Sequence, residues 1–312
     1  MRADDFTYHV LEHPFPEDFV EWYPYIKPEV MVGHDRWREW LEKVVCEGVP
    51  GLRDQMIAAR DPESGEWVGV VWNSVSPCSP EIAHFGWFYV EDRCRGAGVG
   101  ARVVETCLST LNSSGVKVTM LPTQLSNERA IGMYYRRGWD LTITDPDGGV
   151  WMVREPAGFY EEYFKPDEQR PVRADEPKPE DYVAIDYLLS RPYAAIRLLS
   201  LGLVGSRRFM SFVHDWEDPT HFVARQAERP MALAASVPTD DGSLCDVFGL
   251  DRRAMTVAIK ALAEAVPEPY ADVAISDTMR RGALEDAGMR FSEAHTEHLA
   301  RAEIGLARYY LD

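Results

Sequence analysis

Val90-Glu91-Asp92-Arg93-Cys94-Arg95-Gly96-Ala97-Gly98-Val99-Gly100-Ala101 is the stretch on which the reading of this chain turns. Apolar residues from Glu81 to Val90 precede it as a strand. Val103, Cys107 and Leu111 follow it, joined by Val104 and Leu108, at the i, i+4 spacing of a buried helical stripe. The glycines therefore sit between a strand and the first turn of a helix. Such a turn lets the backbone approach a ligand closely. The helix start adds unpaired N–H groups and the positive end of a dipole, so the place suits an anion such as a pyrophosphate. Two nucleotide sites are excluded. No Gly-Lys-Ser or Gly-Lys-Thr follows. A dinucleotide G-x-G-x-x-G would need its third glycine at Ala101 or Val103, depending on register.

Working outward, Gln55 to Arg60 and Trp67 to Val75 read as a hairpin around Asp61-Pro62-Glu63-Ser64-Gly65. Before it, Glu17 to Val49 is rich in acids and aromatics. Trp22, Tyr23, Tyr25, Trp37 and Trp40 lie in helix-like stretches broken by Pro24 and Pro28. After the glycine turn, Ser113-Ser114-Gly115 stops the helix and Val116 to Leu121 alternates as a strand. Asn127 can cap a further helix that Gly138 ends. Trp139 to Ile143 and Val150 to Val153 read as a last hairpin around Asp145-Pro146-Asp147-Gly148-Gly149.

Arg95-x-x-Gly98-x-Gly100 resembles the pyrophosphate-binding motif of the GNAT superfamily of acyl-CoA N-acyltransferases. Asn127, Ala130, Tyr134, Gly138 and Trp139 stand at the spacing of that family's second signature. The resemblance covers roughly residues 4 to 155. It implies an α/β (α+β) fold with a central mixed, mostly antiparallel twisted sheet flanked by helices, and a splayed strand pair at the cofactor site. It also implies acetyl-CoA, or another acyl-CoA, as co-substrate and no metal. By the same resemblance the pantetheine arm would meet the backbone of Phe88, Tyr89 and Val90. The loop of Arg95, Gly96, Ala97, Gly98, Val99, Gly100 and Ala101 would cradle the pyrophosphate, and Asn127 would touch the arm. Tyr134 would be the general acid. A phenol of pKa about 10 keeps its proton at neutral pH and can supply it to a leaving thiolate of pKa about 8.5. His84 is a candidate base, at a place where some members carry a glutamate; Glu81, Glu21, Asp35 and Glu39 are alternatives.

The second half repeats the pattern. Met231 to Val237 and Leu244 to Leu250 read as strands. Met255, Ile259, Leu262 and Val266 form a helical stripe, and Ala271, Val273 and Ile275 alternate. Gly138 and Gly288 are matching helix stops 150 residues apart, which points to an internal duplication. The proline- and charge-dense segment up to Asp181 reads as a linker that can hold the second domain's first strand. The expected organisation is a catalytic domain at 1–155, a linker at 156–181 and a degenerate domain of the same type at 182–312. The second copy lacks the motifs. Asp251-Arg252-Arg253-Ala254-Met255-Thr256 contains no glycine, and Leu284 stands where Tyr134 would be.

Lys and Arg number 33 against 51 Asp and Glu, a net charge of -18. That excess disfavours nucleic acid and anionic membranes as partners and suits a cationic acceptor. The five cysteines show no C-x-x-C pair, so neither a zinc site nor a disulfide framework is expected, and a reducing cytoplasm fits. The resulting expectation is transfer of an acyl group to a primary amine of a small molecule. A peptide acceptor, or a non-catalytic CoA-binding protein, are the alternatives.

Overall fold

The computed structural model describes residues 2–33, 35–144, 148–191, 220–299 and 302–311. The chain divides into two compact units, Met1–Pro156 and Ala157–Asp312. The expected turn at Asp145-Pro146-Asp147 lies outside the described residues.

In the first unit β1 (Thr7–Glu12) is followed by α1 (Glu17–Trp22) and α2 (Asp35–Glu47). Then come β2 (Arg53–Arg60), β3 (Trp67–Ser76), β4 (Ser79–Val90), α3 (Val99–Ser113) and β5 (Val118–Gln124). The unit ends with α4 (Glu128–Tyr135), β6 (Asp140–Thr144) and β7 (Gly149–Arg154). The sheet order is β1-β2-β3-β4-β5-β7-β6. Every neighbouring pair is antiparallel except β4 and β5. That parallel pair registers only from Ile82↔Val118 to His84↔Met120. α3 follows β4 as the crossover that a parallel pair requires. Its stripe of Val99, Val103, Val104, Cys107 and Leu111 is buried and packs on Ile57, Val71, Ala83 and Phe85 of the sheet. The strand read from Val116 begins two residues later, because the Val116 amide closes the end of α3 by donating to the Leu111 carbonyl.

The second unit carries α5 (Phe159–Tyr163), β8 (Arg173–Asp175), α6 (Tyr182–Leu189), β9 (Thr220–Gln226), β10 (Arg229–Thr239) and β11 (Gly242–Gly249). After these come α7 (Arg252–Ala265), β12 (Pro269–Ala274), α8 (Thr278–Asp286), β13 (Met289–Leu299) and β14 (Ala302–Leu311). Its sheet runs β8-β9-β10-β11-β12-β14-β13, the order of the first sheet strand for strand. The parallel pair, β11 with β12, falls at the same place and is shorter still, from Ser243↔Pro269 to Leu244↔Tyr270. The α/β class and the mixed, mostly antiparallel sheet therefore hold for both halves.

Pattern reading passes over β1, β9, β13 and β14. In β9 the reason is visible: His221, Arg225 and Gln226 are buried polar residues that break the expected alternation. Arg225 is 1% exposed and forms an ion pair with Asp181, equally buried, with Nε donating to Oδ1 at 3.1 Å. It donates further to the carbonyls of Val223 (3.2 Å) and Glu176 (3.1 Å). Removing one partner of such a pair strands the other charge in a dry interior. Asp181→Ala is expected to cost about 3–5 kcal/mol in denaturant unfolding, whereas the double replacement Asp181→Leu with Arg225→Met restores most of it. A loss below about 1 kcal/mol in the single variant would show that water reaches the guanidinium.

Candidate active site

Gly96 (φ +86°) and Gly98 (φ +88°) both adopt left-handed backbone that L side chains resist. Gly98 is the N-cap of α3, and no side chain caps that helix or places an acid in its first turn. The first amides of α3 therefore remain available, at the positive end of a helix of 15 residues. Gly100 has a different reason. A Cβ there would stand 2.8 Å from Cζ of Phe88, so the helix start can lie against that ring only as glycine.

The strand before the loop is shaped by a bulge. β3 and β4 pair Val70↔Tyr89 but Trp72↔Gly86, so β4 carries one residue more than its partner. Trp87 takes up the extra length with a φ of +49°, a strained value for a bulky side chain. Its ring is held by Tyr25 and Trp37, with centroids 5.2 and 6.0 Å away. The bulge lies beyond His84 and Met120, the last paired residues of β4 and β5, in the part of β4 that has no β5 partner.

A cavity of about 700 Å³ opens there. Phe88, Tyr89 and Val90 form one wall, and Arg95, Gly96, Gly98, Val99, Gly100 and Ala101 form the loop side. Asn127, the α4 residues Arg129, Ala130 and Met133, and Arg136 at the C-cap of α4 line it too. Ten of the expected cofactor residues thus line one space. Ala97 does not line it; it packs against the apolar core. Asn127 occupies the N-cap position of α4 without capping it, and its amide Nδ2 instead reaches Thr123 Oγ1 at 3.4 Å.

Sequence reading assigned no cofactor role to Tyr25 or to the arginines of α4. Tyr25 Oη donates to the Phe88 carbonyl at 2.8 Å, a group on the expected path of the pantetheine arm. A carbonyl has a second lone pair, so the contact does not exhaust it. The α4 residues had a usable signal. Arg129, Met133 and Arg136 are spaced i, i+4, i+7 and so share a face.

Tyr134 lies on the other side of α4, 4% exposed, between Phe85 and Trp139 with ring centroids 5.9 and 5.7 Å away. It backs the cavity without lining it. Burial, and then repulsion from the Tyr25 phenol, push its pKa well above the usual value. His84 also lies off the cavity. It is buried beside Trp151, and burial lowers its pKa to about 4. So lowered, His84 is a weaker base than a free imidazole of pKa about 6.5.

Residues 11–139 match the sequence profile of the acetyltransferase (GNAT) family. The first unit is a GNAT domain. No curated protein matches the chain at a significant level. Several solved structures share part of it. An acetyltransferase of the GNAT family from Staphylococcus aureus Mu50 has 12% identity and a TM-score of 0.37, over 47% of this chain and 98% of its own. Ard1 from Thermoplasma volcanium has 21% identity and a TM-score of 0.34, over 47% of this chain and 96% of its own. ElaA from Escherichia coli has 18% identity and a TM-score of 0.37, over 48% and 99%.

The second unit contrasts with the GNAT domain at the same point of its topology. The Asp251 carboxylate caps α7, accepting from the amides of Arg253 and Ala254 at 3.2 Å each. A fixed anion thus occupies the helix start that stands open in the GNAT domain. Leu284, at the position matching Tyr134, is fully buried.

The His84 environment has a measurable consequence. Below pH 6.5 the unfolded chain binds a proton at this residue that the folded chain refuses until about pH 4. Stability should therefore fall as pH drops from 6.5 to 4, by about 3 kcal/mol from this residue. His84→Gln should flatten that part of the unfolding-versus-pH curve, and an unchanged slope would place His84 in a solvated setting.

Proposed function

We propose that the GNAT domain transfers an acetyl or longer acyl group from acyl-CoA to the primary amine of a small molecule, by direct attack within one complex. One observation carries this reading. A cavity of nucleotide-binding size lies between an uncapped, glycine-entered helix start and the diverging ends of β4 and β5. The amides of Gly96 and of Gly98 to Ala101 face the pyrophosphate. The end of β4 and Asn127 guide the arm, and the thioester comes to rest near the point of divergence.

The amine nitrogen attacks the thioester carbonyl, and the C–S bond breaks from the tetrahedral intermediate. The sulfur leaves with the bonding pair and takes a proton from Tyr134 as general acid. Burial keeps that proton on the phenol throughout the neutral range. The amine gives its own proton to water rather than to His84. The net charge of -18 favours the approach of an ammonium. The half-buried Trp22, Tyr25, Trp37 and Trp40 stand on the acceptor side of the bulge, whereas Phe19 and Tyr23 are plain core. The second unit, with its self-capped helix, is read as a degenerate copy that takes no acyl-CoA.

Calorimetric titration with acetyl-CoA is expected to give one site per chain, abolished in Gly98→Trp. Two sites would assign a cofactor to the second unit as well. Normal binding by Gly98→Trp would move the site elsewhere. Tyr134→Phe should lower turnover of an acceptor amine by roughly 10²-fold or more with CoA affinity nearly unchanged; full turnover in that variant would remove the acid role.

A further inference from the structure

The cavity carries cationic groups that the glycine loop does not require. Four arginines line it: Arg95, Arg129, Arg136 and Arg137. Two are committed elsewhere. Arg95 pairs with Asp92 at 2.8 Å, and Arg137 pairs with Glu105 at 2.8 Å while donating to the Met133 carbonyl. Among the described residues Arg129 and Arg136 form no ion pair, and both are exposed. They share the cavity-facing side of α4, two turns apart. The Arg136 side chain runs back along the helix, with Nη1 standing 3.6 Å from where a Cβ on Gly132 would be. That brings its guanidinium toward the Arg129 end. Two uncommitted guanidinium groups beside one cavity are unusual in a chain of charge -18.

We propose that Arg129 and Arg136 bind the ribose 3′-phosphate of the donor, and so select complete CoA over forms that lack this group. The inference rests on the acyl-CoA reading above and adds a specificity to it. The chemistry of the two anions differs. A pyrophosphate diester is met by backbone amides and a helix dipole. A phosphomonoester has a second pKa of about 6 and is largely a dianion at neutral pH, with three terminal oxygens. Planar, permanently charged forks suit that group better than point charges or amides do. The loop and the two arginines line one cavity of about 700 Å³, so one nucleotide can present its pyrophosphate to the loop and its monoester to the arginines. Both arginines are solvent-facing, so their replacement leaves the apolar core untouched.

The test is calorimetric titration of the full chain with CoA and with 3′-dephospho-CoA, for the wild type and for the double variant Arg129→Gln, Arg136→Gln. The wild type should bind CoA at least about tenfold more tightly than the dephospho form. The variant should lose about tenfold or more for CoA and less than about twofold for dephospho-CoA. Equal losses for both nucleotides would assign the arginines to the pyrophosphate and overturn the proposal, as would no loss for either. A wild type that binds both equally well sinks this proposal alone. One that binds neither removes the acyl-CoA reading and this inference with it.

Discussion

Beyond the pairing of His84 with Met120, β4 and β5 separate, and the backbone groups at the end of β4 lose a sheet partner inside the protein. Buried peptide groups need partners. The protein supplies two, the Tyr25 hydroxyl to the Phe88 carbonyl and Arg95 Nε to the Val90 carbonyl, and this strand end borders a cavity. The bulge at Trp87 lies just beyond the last paired residue, in the unpaired end of β4. Its strained backbone is packed by aromatic rings of Tyr25 and Trp37, from the segment before β2. The glycine loop, the open helix start and the arginines of α4 and its C-cap all border the cavity there. The early aromatic segment thus serves the site indirectly, by packing on the bulged strand end that lines it.

Much of this was legible in the sequence, for identifiable reasons. The helix of Val103, Cys107 and Leu111 buries one clean stripe against a sheet, so its period survives in the residues. The glycines at 96 and 98 mark backbone that L side chains avoid, and their place between a strand and a helix is itself a statement about ligand chemistry. The spacing from Asn127 to Trp139 likewise survives, because Tyr134 and Trp139 pack on the same core residue, Phe85. Less legible were features set by distant partners. Nothing near Tyr25 says that its hydroxyl will reach a carbonyl 63 positions later. Nothing near Arg225 says that a guanidinium will be buried against Asp181. His84 was placed on the correct strand, but its protonation depends on Trp151 and the depth of the sheet, which no local pattern carries.

The two sheets share one strand order, which makes the chemical contrast between them sharper. The parallel pair, the helix after it and the second crossover helix all recur. What differs is how each unit satisfies the amides at the start of the helix after its fourth strand. In the first unit glycines leave them open. In the second, Asp251 answers them with its own carboxylate. The same strand order can therefore carry an open helix start in one unit and a self-capped one in the other.

That turn also sets how each unit responds to its surroundings. A helix start that waits for an external anion ties folding free energy to the concentration of that anion, by mass action. A helix start closed by its own side chain does not. Under the acyl-CoA reading the stability of the first unit rises and falls with the supply of that ligand, whereas the helix start of the second carries its counter-charge in its covalent sequence.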